Sequence, residues 1–168
     1  HNEIRIGMIR IINSLKISIK GDYNKISIGN DTTFQQTTIE VCQNASVNIG
    51  KKCMFSYGIV IYRDDMHNIY DLDSLQRLNY PKNISIGNHV WLGRECMLLG
   101  GANIGDNCVI GARCVTSSKF LPNTVIAGCP GKVVRSNIIW SRDGYETGMS
   151  NIYESFDRFV FECNMEEE

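Results

Sequence analysis

The sequence has no excess of either charge: 17 Lys and Arg stand against 18 Asp and Glu, for a formal net charge of -1. That balance gives no electrostatic ground for binding nucleic acid or an anionic membrane. No apolar run approaches the roughly 20 residues of a membrane-spanning helix, and no signal-peptide pattern opens the chain. A cytoplasmic protein is the expectation. The chain contains only three His, and two of them, His67 and His89, lie away from the start, too few for a three-histidine zinc site. Seven Cys occur without a single C-x-x-C pair, which argues against a redox motif or a zinc finger and for reduced, structural thiols.

What is present instead is a period of six. In "IGNHVWLGRECMLLGGANIGDNCVIGARCV", residues 86–115, an aliphatic side chain returns as Ile86, Leu92, Leu98, Ile104 and Ile110. A helix repeats every 3.6 residues and a strand every 2, so this interval demands a larger unit, a short strand plus a corner, repeated as a solenoid. Four residues after each aliphatic stands a small one: Val90, Cys96, Ala102, Cys108 and Cys114. Cys in those places acts as a small hydrophobe. Gly87, Gly93, Gly105 and Gly111 suit backbone at positive φ or close packing at the bends. With three hexads to a triangular coil, Ile86 stacks under Ile104, Leu92 under Ile110 and Cys96 under Cys114, at a strand spacing of roughly 4.8 Å.

Along the chain, residues 1–20 read as an N-terminal segment, with 3–14 equally compatible with a helix or a leading strand. The solenoid is expected over 21–135, with earlier hexads at Ile28, Phe34, Ile49, Phe55 and Ile61. A three-residue slip between Phe34 and Ile49 predicts a small bulge or loop near 35–40. From 62 to 83 the period vanishes into a polar stretch containing "YRDDMHNIYDLDSLQRLNYPKN", an excursion loop of the kind that carries function on a regular scaffold. Residues 136–168 form a C-terminal extension. His67 stands in the loop beside acids, and an imidazole titrating near neutrality can take a proton from a hydroxyl and return it. Asp65 or Asp71 is a candidate to orient it. His89 occupies an outward hexad position and reads as a structural or surface residue.

"IGNHVWLG", "IGDNCVIGARCV" and "IAGCPGKVVR" resemble the matching segments of the hexapeptide-repeat O-acetyltransferases. Within that family, "CMFSYGIVIYRDDMHNIYD" with "VWLG" and "NIIWSRDG" is most similar to enzymes acting on bacterial capsular or surface polysaccharides, sialic acid polymers included. The resemblance implies an all-β solenoid, a left-handed parallel β-helix, assembled as a homotrimer with active sites between subunits. It implies acetyl-CoA as co-substrate, a sugar or polysaccharide acceptor, no permanently bound cofactor and no metal. The family's catalytic His falls on His67 and its cleft Trp on Trp91; Asp65 and Tyr57 would meet the acceptor. Coenzyme A would lie against Gly93, Arg94, Gly111 and Ala112, then Ser117 and Ser118, with Lys119, Lys132 and Arg135 near its phosphates. An amide between Trp91 and Gly93 would steady the oxyanion. Ser117 and Ser118 stand where relatives often carry Thr-Lys, and "CPGK" departs from the family's usual Ala after "IAG" and Pro.

Three alternatives accompany this reading. An acetyltransferase for a small sugar or xenobiotic would share the scaffold. A metal-dependent hydratase like the γ-class carbonic anhydrases would need ligands the chain lacks. A non-enzymatic binding solenoid would leave the His67 loop unexplained, and the flat Thr arrays of an ice-binding helix are missing.

Overall fold

Aliphatics six residues apart are buried together only if the chain turns a corner after each short strand and returns on top of itself. The computed structural model describes residues 1–63 and 65–142 and shows this winding as three parallel sheets around one core, with no helix among the described residues. The first face carries Glu3–Ile6, Lys25–Ile28, Ser46–Ile49, Ile84–Ile86, Asn103–Ile104 and Lys119–Phe120. The second carries Ile11–Ile12, Thr33–Phe34, Met54–Phe55, Trp91–Leu92, Val109–Ile110 and Thr124–Ala127. The antiparallel strand Lys132–Ser136 pairs with the last of these. The third carries Leu15–Lys20, Thr37–Cys42, Ile59–Tyr62, Met97–Leu99 and Val115–Thr116. The solenoid lies within one compact unit, His1–Ile138.

The predicted stacking holds: Ile86 pairs with Ile104 and Leu92 with Ile110. Cys114 lies above Cys96, its carbonyl accepting the Met97 amide at 2.9 Å. Two expectations are corrected. Glu3–Ile6 and Ile11–Ile12 are already strands of the first coil, each paired with the next coil, so the solenoid begins well before residue 21. The slip after Phe34 is not a bulge at 35–40. The third-face strands of the first two coils are six residues long, Leu15–Lys20 against Thr37–Cys42, and the surplus emerges at the following corner, where Gln43 and Asn44 take positive φ. The excursion begins after Tyr62 and ends before Ile84, as the lost period indicated. Most of the C-terminal extension falls outside the described residues.

The corner glycines act through space rather than through φ. The left-handed residues are His89, Glu95, Asn107 and Arg113, each two places after a hexad Gly. A Cβ on Gly93 would stand 2.8 Å from the Ala112 amide nitrogen, and one on Gly105 would stand 2.8 Å from Pro122 Cδ. Coils at strand spacing leave no room there for a side chain. The buried small Cys also answer to the corners: the Cys108 thiol donates to the Leu121 carbonyl at 3.2 Å, and the Cys96 thiol donates to the Gly93 carbonyl at 2.8 Å.

Phe34 and Phe55, fully buried on successive coils, meet edge to face with centroids 5.2 Å apart. Truncation leaves a cavity that neighbouring coils, fixed by their ladders, cannot fill. Phe55→Ala is expected to lower stability by about 3–5 kcal/mol, read as a shift in the denaturant midpoint with the far-ultraviolet β signal of the folded state unchanged.

Candidate active site

The excursion loop leaves the corner between the third and first faces, and that exit is locked on two sides. Arg63, 5% exposed, donates from its guanidinium to the carbonyls of Cys42, Gln43 and Asn44 on the coil below, at 2.5, 3.0 and 3.1 Å. Gly100, on the coil above, lies so close to the Arg63 carbonyl that a Cβ there would collide with it. Beyond the exit, Tyr70 and Arg77 form an antiparallel bridge, and Leu78 donates its amide to the Ile69 carbonyl at 2.8 Å. Asn79 ties this hairpin to the segment carrying the histidine. Its Nδ2 donates to the Asp65 carboxylate at 2.9 Å and to the His67 carbonyl at 2.7 Å, while its Oδ1 accepts the Ile69 amide at 2.8 Å.

His67 is exposed on this loop, and its imidazole makes no hydrogen bond to Asp65 or Asp71. Asp71 is otherwise engaged: its Oδ1 accepts from the Ser74 amide and hydroxyl, both at 2.8 Å, and from the Asp73 amide. The Ser74 amide, then its hydroxyl, hold this carboxyl below the usual range. That makes Asp71 the turn-former of the hairpin tip rather than the partner of His67. Arg63 and Asn79 were not foreseen as part of this site. Their partners are mostly backbone carbonyls and amides twelve or more residues away, a relation that no local spacing encodes.

The remaining candidates fall into two groups on opposite edges of the third face. At the corner between the second and third faces, Tyr57, Gly93 with Arg94, and Gly111 with Ala112 stand on successive coils. The Arg94 guanidinium lies 5.4 Å from the Tyr57 ring centroid, and the Glu95 and Arg113 side chains form an exposed ion pair at 2.7 Å. Trp91 faces outward on the adjoining second face, 37% exposed, between Met54 and Val109. Lys132 and Arg135 are exposed on the closing strand, beside Ala127 and Val125. At the other edge, Ser117, Ser118 and Lys119 share the corner from which the His67 loop emerges; the Ser117 carbonyl lies above Gly101. A single chain therefore puts Ser117, Ser118 and Lys119 at the edge from which the loop of Asp65 and His67 emerges, and Tyr57, Gly93, Arg94, Gly111 and Ala112 at the opposite edge.

The proposed oxyanion amides are corrected. The Trp91 and Gly93 N–H groups donate to the Cys108 and Ile110 carbonyls at 2.9 and 2.8 Å, so both are consumed by coil pairing. Close packing of coils also accounts for Gly93 without a ligand. Among the described residues no group of three His, Cys, Asp or Glu could hold a metal ion. No helix among them is long and apolar enough to cross a membrane. Burial pushes the Cys96 thiol up to about 12, which leaves it without thiolate near neutrality and unsuited to nucleophilic work. His89 sits at a corner with its Nδ1 3.0 Å from Asn107 Oδ1, part of an Asn-lined column of the scaffold.

A family model described as bacterial transferase hexapeptide (six repeats) matches residues 83–118. The structure of the polysialic acid O-acetyltransferase OatWY superposes with a TM-score of 0.76 at 34% identity, over 89% of this chain and 75% of that one. The chain belongs to the hexapeptide-repeat O-acetyltransferases. Its solenoid is thus the left-handed parallel β-helix of that family. The polysialic acid O-acetyltransferase of Neisseria meningitidis is 42% identical over 119 residues, which are 70% of this chain and 55% of that protein. The enzyme of the same name from Escherichia coli O1:K1 / APEC is 32% identical over 129 residues, 74% of this chain and 42% of that protein. The chain spans about half the length of these two relatives.

Because Asn79 joins the His67 carbonyl, Asp65 and the Ile69 amide through one half-buried loop side chain, its loss loosens the loop without disturbing the core. Asn79→Ala is expected to speed hydrogen exchange at the Ile69 amide at least about tenfold, the order of one lost hydrogen bond. The melting temperature should stay within about 2 °C of wild type, since surface substitutions usually cost under about 0.5 kcal/mol.

Proposed function

We propose that this chain transfers acetyl from acetyl-CoA to a hydroxyl of a bacterial capsular or surface polysaccharide of the sialic acid type. The observation that carries the reading is the braced excursion loop, which presents the exposed imidazole of His67 at a fixed corner of a family scaffold. Two relatives at 42% and 32% identity bear the name polysialic acid O-acetyltransferase and supply the acceptor class.

The reaction balances without an enzyme-bound intermediate. His67 takes the proton of the acceptor hydroxyl while its oxygen attacks the thioester carbonyl. The tetrahedral intermediate collapses to an ester, and the departing thiolate receives the proton from the same imidazole. Asp65, tied to the loop by Asn79, and Tyr57 contact the acceptor. Gly93, Arg94, Gly111 and Ala112 border the pantetheine arm, with Lys132 and Arg135 near the nucleotide phosphates and Trp91 walling the cleft.

A complete site on this reading needs two copies of the chain, because its halves lie on opposite edges of the third face. The surfaces between those halves suit burial. Met54, Trp91, Val109 and Val125 form an outward apolar column on the second face, and Val60, Met97 and Val115 form one on the third. The loop adds exposed Ile69, Leu72, Leu75 and Leu78, more apolar surface than a lone soluble chain usually leaves open. A heterologous contact of one face with the other makes a ring where its rotation closes, and the family resemblance makes that ring a homotrimer with three shared sites. Ser117, Ser118 and Lys119 then serve the cofactor cleft formed with the adjoining copy. The need for acetyl-CoA and the buried free thiols among the described residues, Cys42, Cys53, Cys96, Cys108 and Cys114, favour the cytoplasm.

Thiol release from acetyl-CoA, followed over a panel of sugars, small hydroxylated acceptors and sialylated polymers, tests the function. Sialic acid polymers are expected to give acceptor-dependent release, and His67→Ala is expected to reduce it at least about a hundredfold. Release that favours a small neutral sugar or a xenobiotic would replace the acceptor assignment, and a His67→Ala variant with wild-type turnover would remove the base.

A further inference from the structure

The outer surface of the third face changes character along the solenoid. Its first outward column runs Lys16, Thr38, Val60, Met97, Val115, and its second runs Ser18, Glu40, Tyr62, Leu99. The later coils are apolar and suit a protein contact. The earlier coils are polar, and where the two characters meet the chain departs into the His67 loop. At that boundary a shallow groove opens, lined by Ser18, Lys20, Glu40, Cys42, Tyr62 and Met66 among others. Met66 is the residue before His67, so the groove runs up to the base of the catalytic loop.

Among the described residues neither the Lys20 ammonium, the Glu40 carboxylate nor the Ser18 hydroxyl is engaged by another side chain. Ser18, Glu40 and Tyr62 stand in one register on three successive coils, which at strand spacing spans about 10 Å. An ammonium that can pair with a carboxylate, acceptors and donors for hydroxyls, and an aromatic ring with a thioether beside it are together the complement of an acidic sugar. Lys16 and Lys20 flank Ser18 on the outer surface of the same strand and tilt the balance of charge toward an anion.

We propose that this groove is an acceptor subsite, holding a carboxylated sugar residue of the polymer a unit or more away from the one being acetylated. Lys20 pairs with its carboxylate, Glu40 and Ser18 take its hydroxyls, and Tyr62 and Met66 cover an apolar face of the ring. The inference rests on the reading of the protein as an acetyltransferase of acidic polysaccharides with His67 as base. It implies that affinity for the acceptor rises once the oligomer is long enough to occupy groove and reaction centre together. The bland role of Lys20 is to guard an edge strand against pairing with another chain; that role affects association and leaves acceptor affinity alone.

The test uses the full chain and oligomers of sialic acid of increasing length, with calorimetric binding beside steady-state kinetics. Lys20→Glu is expected to weaken binding of the longer oligomers and to raise their KM at least about tenfold, the size of one charge-assisted hydrogen bond. The KM for acetyl-CoA should not follow. Arg5→Glu, the same charge change on the polar first face, should leave acceptor affinity at the wild-type value. Long oligomers that bind Lys20→Glu as tightly as wild type would overturn the subsite even if the enzyme is fully active. A wild-type chain that binds the oligomers, loses them on Lys20→Glu and yet transfers no acetyl would support the groove while refuting the catalytic reading. Absence of binding to wild type, or a preference for neutral glycans, would overturn the groove.

Discussion

Parallel pairing between residues one coil apart is the constraint on which everything else here depends. Each inward aliphatic is buried by the equivalent residue above and below it, so no coil has a core of its own and stability is shared between neighbours. The spacing of the strands also sets what the corners can hold: Gly93 and Gly105 because backbone or proline lies within 3 Å of where a Cβ would go, and Cys96 or Cys108 because a small thiol can both fill a corner and donate to a carbonyl. The same ladders that consume the Trp91 and Gly93 amides take them out of the chemistry. A scaffold this regular has little freedom to bring catalytic groups together within itself.

On the proposed reading, function accordingly enters where the regularity is interrupted. The excursion leaves the solenoid at Arg63, whose guanidinium grips three carbonyls of the preceding coil while Gly100 presses on its own carbonyl. The loop is thereby fixed at its root by the rigid part of the molecule, and Asn79 transmits that order to His67 and Asp65. An exposed histidine on an unbraced loop would sample many positions; one held at root and midpoint can meet a hydroxyl repeatedly in one geometry.

How far this was legible in the residues follows from the range of the interactions. The stacking of Ile86 on Ile104 and Leu92 on Ile110 was legible because the partners recur at a fixed interval, and the loss of that interval marked the loop. The first coil was not, because Glu3–Ile6 and Ile11–Ile12 pair with residues 22 positions on through six-residue third-face strands that break the hexad. His67 stood out as a titratable group in an aperiodic stretch. Arg63 and Asn79 did not, since their work is done on backbone atoms that only the fold brings near, and Asp71 looked like a partner for His67 when its oxygen is held by Ser74.

The separation of the candidate residues onto two edges of one face leads to the central claim, that each active site is completed by a second copy. Mixing two inactive variants tests it most directly. His67→Ala spoils one edge and Ala112→Trp, which blocks the pantetheine corner, spoils the other. Unfolded together and reassembled in equal amounts, they should regain about a quarter of wild-type activity, the share of heterologous interfaces at which both intact edges meet. A mixture that stays as inactive as its two components would show that the site is built within a single chain.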